Sequence, residues 1–126
     1  SMIKVFYDGK CNLCSSEINY YRRISPTGIF DWLDINLMHS DFVNTGIKVS
    51  DALKILHVID NNNKLHLGVD AFIIIWKNLS YWKIIAKIVS IPIIRQIVNI
   101  TYRAFANWRF NRLTHCILAK NNDNKL

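Results

Sequence analysis

Two cysteines three positions apart, Cys11 and Cys14, are the residues of this sequence best suited to chemistry. In a C-x-x-C pair, one thiolate can attack a disulfide and the second thiol can release the mixed disulfide that forms. Such a pair can also supply half of a zinc site, or two small side chains that pack in a core. Because the pair directly follows an N-terminal run typical of a strand, the pattern favours redox chemistry over both alternatives.

The stretch around the cysteines predicts a strand, a tight turn and the start of a helix. Residues 3–7 are rich in β-forming side chains and carry one charge, which is typical of a strand buried on both faces. Gly9 ends the strand, because glycine can take backbone angles that a side chain would forbid. From residue 15 onward, apolar residues recur at helical spacing. Cys11 is therefore expected at or just before the first helical turn, with Cys14 on the same face.

This placement predicts different roles for the two thiols. The backbone N–H groups of a first helical turn have no intrahelical partners, so they stabilise a thiolate there. Thiols in such positions commonly have a pKa lowered from about 8.5 to ~3.5–7.5. Cys11, nearer the loop, is the predicted exposed nucleophile, and Cys14 is the predicted resolving thiol, less accessible within the helix. Asp8 can accept a backbone N–H as a cap, or shuttle a proton to and from the thiols.

Three stretches, in the correct order, resemble the DCC family of predicted thiol-disulfide oxidoreductases of the thioredoxin superfamily. They are Tyr7-Asp8-Gly9-x-Cys11-x-x-Cys14, Gly68-Val69-Asp70-Ala71-Phe72, and Tyr102 through Asn107-x-Arg109. The resemblance extends from residue 3 to near residue 113. It implies a thioredoxin-like fold and disulfide exchange by Cys11 and Cys14, with Asp8 in the site. The supporting residues that it implies are Tyr7, Gly9, Tyr102 and Arg109.

Tyr102 and Arg109 are singled out by this resemblance alone. Arg109 can stabilise a thiolate if the last helix packs beside the cysteines; otherwise both residues serve packing and surface contacts. The chain also departs from the thioredoxin pattern, in which a cis-proline precedes the third strand. Its prolines are Pro26 and Pro92, and neither lies there. The resemblance therefore does not imply that a substrate backbone docks beside a cis-proline in this chain.

The remaining pattern predicts an α/β, thioredoxin-like fold: a small mixed four-stranded sheet flanked by helices, with an extended helical C-terminal half. The second strand is expected at 29–35, parallel to the first, and the third at 55–59 in a hairpin with 64–68. Helices are expected at 36–43, 71–76, 81–89 and 93–113. With 126 residues the chain predicts one domain, residues 2–119, followed by a disordered polar tail at 120–126.

Positive charge is concentrated in the C-terminal part of the chain. Residues 1–76 carry seven Lys/Arg and eight Asp/Glu, a net −1, whereas residues 77–126 carry nine Lys/Arg and one acid, a net +8. This asymmetry suggests an acidic partner, an anionic membrane surface or nucleic acid, or simply a solvated helical face. No nucleic-acid motif accompanies the charge, so nucleic acid is not expected. No uncharged apolar run reaches the ~18 residues of a membrane span, so these helices are expected in the core or on a membrane surface.

The cysteine count and the N-terminus indicate a cytoplasmic protein. Ser1 before Met2 is interpreted as a cloning remnant, and no basic-then-apolar leader follows. Three cysteines are too few for a secreted disulfide scaffold. His115-Cys116 could complete a zinc site with the C-x-x-C pair, but a second C-x-x-C is missing and His39, His57 and His66 have no ligand spacing. Neither a metal nor a bound cofactor is expected.

The sequence therefore predicts a small thiol-disulfide oxidoreductase that acts in the reductive direction. Its substrate is expected to be a disulfide-containing protein or a small thiol compound, with electrons returned by a thioredoxin- or glutathione-type reductant. The alternative from another class is a non-catalytic binding module, whose basic helical half docks on a membrane surface or an acidic partner.

Overall fold

The computed structural model describes residues 2–37 and 46–113, which form one mixed sheet with helices on both faces. The strands are β1 (Ile3–Tyr7), β2 (Phe30–Asp34), β3 (His57–Ile59) and β4 (Leu65–Leu67). The helices are α1 (Asn12–Ile24), α2 (Val49–Lys54), α3 (Val69–Lys77), α4 (Lys83–Val89) and α5 (Pro92–Phe110), and a 3-10 turn covers Ile35–Leu37. The predicted α/β fold, with four mixed strands and a helical C-terminal half, is confirmed.

The sheet has the strand order β2-β1-β3-β4. Strand β1 pairs in parallel with β2 and antiparallel with β3, and β3 and β4 form the predicted antiparallel hairpin. Helix α1 makes the crossover that a parallel β1–β2 pair requires. Because β1 and β2 are parallel, their carboxyl ends meet at one edge of the sheet, where Tyr7 lies opposite Asp34.

Strand β1 is buried on both faces, as predicted. Val5 is fully buried in a cluster with Tyr21 of α1 and Ile75 of α3. Phe6 is fully buried in a second cluster on the opposite face, with Phe110 of α5 among its members. The first and last helices are thus fixed to the same central strand from opposite sides.

Several element boundaries differ from the prediction. Helix α2 was not expected; its last turn closes through a hydrogen bond from the Ile55 N–H to the Asp51 carbonyl, so the third strand begins at His57 rather than at residue 55. Helix α4 begins at Lys83 instead of residue 81. Most of the predicted helix at 36–43, the boundary at residue 119 and the tail at 120–126 lie outside the described residues.

Helices α4 and α5 form a bent pair at the C-terminal end of the described chain. Pro92 begins α5, where its fixed backbone angle suits the first helical turn. Within residues 2–37 and 46–113, no single helix is long and apolar enough to cross a membrane. Helices α4 and α5 meet that test only when taken together, and they are bent by 96° relative to each other.

Candidate active site

Cys11 caps the amino end of α1 with its own sulfur. The Cys14 N–H donates to the Cys11 Sγ at 3.4 Å, and the Cys11 N–H donates to the Asp8 carbonyl at 3.2 Å in the turn that leaves β1. Both cysteines are free thiols. The predicted position of Cys11 at the helix start is therefore confirmed, and its sulfur faces the N–H group of the first turn.

The exposure of the two thiols is the reverse of the prediction. Cys11 was expected to be the exposed thiol, but it is only 4 % exposed. Cys14 was expected to be the less accessible one, but it is only partly buried and lines a cavity. The cap explains the difference, because a sulfur folded back onto the first turn is covered by that turn.

The surroundings of Cys14 keep its thiol protonated. Burial is the main cause that raises the pKa of Cys14, and the hydrogen bond with Cys11 raises it further. The positive charge of Arg109 lowers the pKa of Cys14 in part, whereas the charges of Cys11 and Asp8 raise it. The raised pKa makes the Cys14 thiolate less accessible than that of an ordinary cysteine, and the Cys14 backbone N–H donates to the Cys11 sulfur.

A buried ion pair lies beside the cysteines. Arg109 of α5 and Asp8 are 8 % and 3 % exposed, and the Arg109 Nη1 is 3.4 Å from the Asp8 Oδ2. The Arg109 Nη2 also donates to the carbonyls of Leu53 and Lys54 at the carboxyl end of α2. Because a helix end presents unpaired carbonyls and a negative dipole, this is a favourable place for a guanidinium. The last helix, α5, does pack beside the cysteines. Arg109 therefore meets the condition under which it can stabilise a thiolate.

Other donors besides Arg109 also form hydrogen bonds with the Asp8 carboxylate. Its Oδ1 accepts the Lys10 N–H at 3.1 Å and the Asn36 side-chain amide at 2.9 Å. The same Asn36 amide donates to the Asp34 Oδ1 at 3.0 Å. The Asp8 side chain therefore stabilises the turn, and Asp8 lines the same cavity as Cys14.

Residue 9 must be glycine because the structure leaves no space there for a side chain. A Cβ at residue 9 would collide with the Asp34 carboxylate, to which the Gly9 N–H donates at 3.1 Å. The expectation that Gly9 supplies an unusual backbone angle is wrong, since the described glycines with positive φ are Gly28, Gly46 and Gly68. A close approach between two loops decides this position.

Tyr102 and Tyr7 line the same cavity from α5 and β1. The Tyr102 hydroxyl accepts the Leu56 N–H at 2.9 Å, and burial raises the pKa of Tyr102 to about 12. The Tyr7 hydroxyl accepts a hydrogen bond from Arg22 at 3.2 Å. Tyr102 therefore ties α5 to the chain that enters β3, next to the cysteines.

The cavity itself is small and largely apolar. Its volume is about 60 Å³, which gives room for a few water-sized groups. Apart from the ion pair, its lining includes Leu13, Cys14, Glu17, Phe72, Tyr102 and Phe105. A shallower groove of about 230 Å³ shares Glu17, Phe72, Tyr102 and Phe105 and continues toward Trp76 and Val98. Cys14 thus lies at one end of a continuous aromatic surface between α1 and α5.

The backbone that precedes β3 is hydrogen-bonded within the protein. Ile55 donates to Asp51 and its carbonyl contacts His57 Nδ1, while the Leu56 N–H and carbonyl bind Tyr102 and Gly68. No cis peptide bond occurs in the described residues. A substrate strand cannot pair with Ile55 or Leu56 unless one of these internal bonds opens.

No metal cluster accompanies the cysteines in the described residues, where no group of three or more His, Cys, Asp or Glu side chains converges. His39, His115 and Cys116 lie outside those residues. His57 and His66 lie on β3 and β4 as expected.

Sequence reasoning missed Asp34, Asn36 and Glu17. Asp34 ends β2 and Asn36 follows it, and both reach the turn after β1 because the two strands are parallel. The predicted parallel pairing was a usable signal, since carboxyl ends of parallel strands meet at one edge. Glu17, one turn after Cys14, also lines the cavity, and nothing in its spacing distinguished it from a solvated acid.

Comparison with known proteins agrees with these motifs. Residues 5–114 match the family model described as DCC1-like thiol-disulfide oxidoreductase. Neither the curated proteins nor the solved structures gave a match. The matched region contains both cysteines, Asp8, Tyr102 and Arg109, and the family supports a redox role and a thioredoxin-like fold. The chain belongs to the DCC1-like thiol-disulfide oxidoreductase family.

Proposed function

We propose that this protein reduces disulfides by dithiol–disulfide exchange through Cys11 and Cys14. The observation that carries the proposal is the cap geometry, in which the Cys11 sulfur accepts the Cys14 N–H beside the buried Asp8–Arg109 pair. A sulfur at a helix start is a favourable site for a thiolate. The proposed setting is a reducing compartment such as the cytoplasm.

Two features favour different thiols as the nucleophile: Cys11 lies at the helix start, whereas Cys14 is the more exposed thiol. The attacking species in disulfide exchange is the thiolate, and the pKa of Cys14 is raised by burial. Cys11 is therefore the proposed nucleophile despite its low exposure. Sulfur is a weak hydrogen-bond acceptor, so rotating the Cys11 side chain out of the cap costs little.

Disulfide exchange proceeds in two steps. In the first step the Cys11 thiolate attacks one sulfur of the substrate disulfide, a Cys11–substrate disulfide forms, and the other substrate sulfur leaves as a thiolate. In the second step Cys14 gives up its proton and attacks the Cys11 sulfur, which releases the remaining substrate thiolate. The protein is left with a Cys11–Cys14 disulfide, and the substrate has gained two electrons. A thioredoxin- or glutathione-type thiol donor returns the dithiol.

Asp8 and Arg109 are proposed to serve the second step. Cys14 must lose its proton there, and Asp8, which lines the same cavity, is the proposed acceptor. The Arg109 guanidinium favours the Cys14 thiolate by its positive charge. Tyr102 and Gly9 are proposed as positioning residues, because one fixes α5 and the other allows the turn to approach Asp34.

The substrate is proposed to approach through the aromatic surface between α1 and α5. The backbone of Ile55 and Leu56 is occupied by internal hydrogen bonds, so strand pairing at that place is disfavoured. A cavity of about 60 Å³ accepts the sulfur atoms and a small apolar group. A disulfide flanked by apolar side chains, in a protein or a small molecule, fits this site best.

Turnover with defined variants tests the proposal. Disulfide reduction is followed with insulin and with a small aromatic disulfide, with glutathione or dithiothreitol as the electron source. Cys11→Ser and Cys14→Ser should each abolish dithiol turnover, and Cys116→Ser, the matched control for loss of one thiol, should retain it. Turnover that survives Cys11→Ser, or that is lost only with Cys116→Ser, would overturn the assignment.

A further inference from the structure

Helix α5 is apolar on two opposite sides. One side packs on the protein through Tyr102, Ala106 and Arg109. At 100° per residue, a second row lies on the opposite side of the helix. This outer stripe consists of Ile93, Ile97, Ile100, Ala104 and Trp108. Its large side chains are exposed: Ile93 by 71 %, Ile97 by 61 %, Ile100 by 70 % and Trp108 by 55 %. A helix with an exposed apolar stripe needs a partner that covers it.

Helix α4 and its flanks are exposed in the same way. Ala86 and Val89 are buried against α3, whereas Ile84 and Ile88 are 69 % and 48 % exposed. Tyr81, just before the helix, is 88 % exposed. The exposed apolar side chains are therefore concentrated in α4, α5 and the residues next to them.

The charge of this region identifies the partner. Residues 77–113 contain seven Lys or Arg and no Asp or Glu, and two of the seven, Arg95 and Arg109, pair with Asp70 and Asp8. Lys83 and Lys87 alternate with the exposed isoleucines of α4, and the Arg112 guanidinium lies 4.5 Å from the centre of the Trp108 ring. Two copies of this chain joined through the stripe would bring like charges together, which opposes a dimer. An anionic lipid surface satisfies both features, because it covers apolar side chains and attracts the basic ones.

We propose that α4 and α5 bind the surface of an anionic lipid bilayer. The outer stripe enters the boundary between headgroups and acyl chains, with Trp108 at the level that tryptophan prefers. The exposed side chains of Lys83, Lys87 and Arg112 contact the headgroups. The bent pair lies on the membrane without crossing it.

The site faces away from such a membrane. Tyr102 and Arg109 lie on the side of α5 opposite the outer stripe, with the cavity beyond them. Bound protein therefore keeps Cys14 and the cavity that it lines on the water side of the membrane. Membrane binding does not depend on the proposed exchange reaction, so the two can fail separately.

Vesicle flotation of the full chain tests the proposal. The probes are vesicles of phosphatidylcholine alone and of phosphatidylcholine with phosphatidylglycerol, each at low and high salt. Wild type should float only with anionic vesicles and should be released by salt. Ile97→Ser/Ile100→Ser should weaken binding at least about tenfold, because two apolar side chains lose their burial in lipid. Leu37→Ser, at a position 68 % exposed and outside the region, should bind like wild type.

Each other outcome contradicts the proposal. No flotation at low salt, or equal binding to uncharged vesicles, would overturn it. A dimer in sedimentation that the double isoleucine variant dissociates, without vesicle binding, would assign the stripe to a second copy. Alkylation of the thiols by iodoacetamide should proceed equally with and without anionic vesicles, and protection by the vesicles would overturn the stated orientation.

Discussion

Removing the Arg109 guanidinium should destabilise the protein substantially. Arg109→Met keeps the length of the side chain but leaves the Asp8 carboxylate, 3 % exposed, without its cation. The substitution also removes the group that donates hydrogen bonds to the carbonyls of Leu53 and Lys54. Breaking one partner of a buried ion pair typically costs ~3–5 kcal/mol.

The structure favours the lower end of this range. The pair is 3.4 Å apart, longer than the ~2.7–2.9 Å of strong charge-assisted bonds, and Asp8 keeps its bonds to Lys10 and Asn36. We therefore expect a loss of about 3 kcal/mol in the free energy of unfolding. Asp8→Asn/Arg109→Met should be less destabilised than Arg109→Met alone, because no unpaired carboxylate remains buried.

Urea unfolding under reducing conditions measures these differences. The matched control is Arg95→Met, which makes the same substitution at an exposed pair with Asp70, where both side chains are nearly half exposed. That control should cost less than about 1 kcal/mol. The reasoning would be refuted by equal losses for Arg109→Met and Arg95→Met, or by a double variant no more stable than Arg109→Met.

Three further changes test other contacts of the site. Gly9→Ala should lower the free energy of unfolding in urea by ~1–3 kcal/mol, because its Cβ collides with the Asp34 carboxylate; wild-type stability would remove the steric argument. Tyr102→Phe should cost ~1–3 kcal/mol, because the buried Leu56 N–H loses its acceptor, and a change within error would mean that another acceptor replaces the hydroxyl. The pKa of Cys14 is raised above its ordinary value, so the unfolded chain loses this proton first as pH rises. Stability should therefore fall above pH 9 more steeply in wild type than in Cys14→Ser, and parallel unfolding profiles would contradict the raised pKa.

The parts of the structure that depend on neighbouring residues in the sequence were predictable. The alternation in residues 3–7 and the helical spacing after residue 15 placed β1, the turn and α1, and hence Cys11 at the helix start. Helix α2 was missed because six residues are too few to show a period. The parallel pairing of β1 and β2 was predicted too. The sequence analysis did not predict that this pairing brings Asp34 to the turn after β1.

The parts that depend on tertiary packing were not predictable from spacing. Arg109 meets Asp8 across 101 positions of sequence, and only the order of the family motifs indicated that it belongs near the site. The steric reason for Gly9 comes from Asp34, 25 positions away. Exposure of Cys11 was predicted wrongly, because the direction of a cap side chain depends on its rotamer and on the turn that covers it.

The proposed membrane-binding surface of α4 and α5 also combines features that the sequence shows with features that depend on packing. The concentration of Lys and Arg after residue 76 is visible in the sequence and suggested an acidic partner or an anionic surface. Which isoleucines face outward depends on how α5 packs, since apolar residues lie on two opposite sides of the helix. The buried row of Tyr102, Ala106 and Arg109 decides which row stays exposed.

Trapping of mixed disulfides tests the proposed exchange most directly. Each single cysteine variant is incubated with a disulfide substrate, quenched with acid and alkylator, and analysed by non-reducing gel and mass spectrometry. Cys14→Ser should accumulate a reducible adduct at Cys11, because the thiolate can attack but nothing resolves the intermediate. Cys11→Ser should accumulate none that is detectable, since burial raises the pKa of Cys14 and so lowers its thiolate fraction. Adducts at Cys14 in the Cys11→Ser variant, with none at Cys11 in the Cys14→Ser variant, would show that access rather than charge selects the nucleophile and would contradict the mechanism.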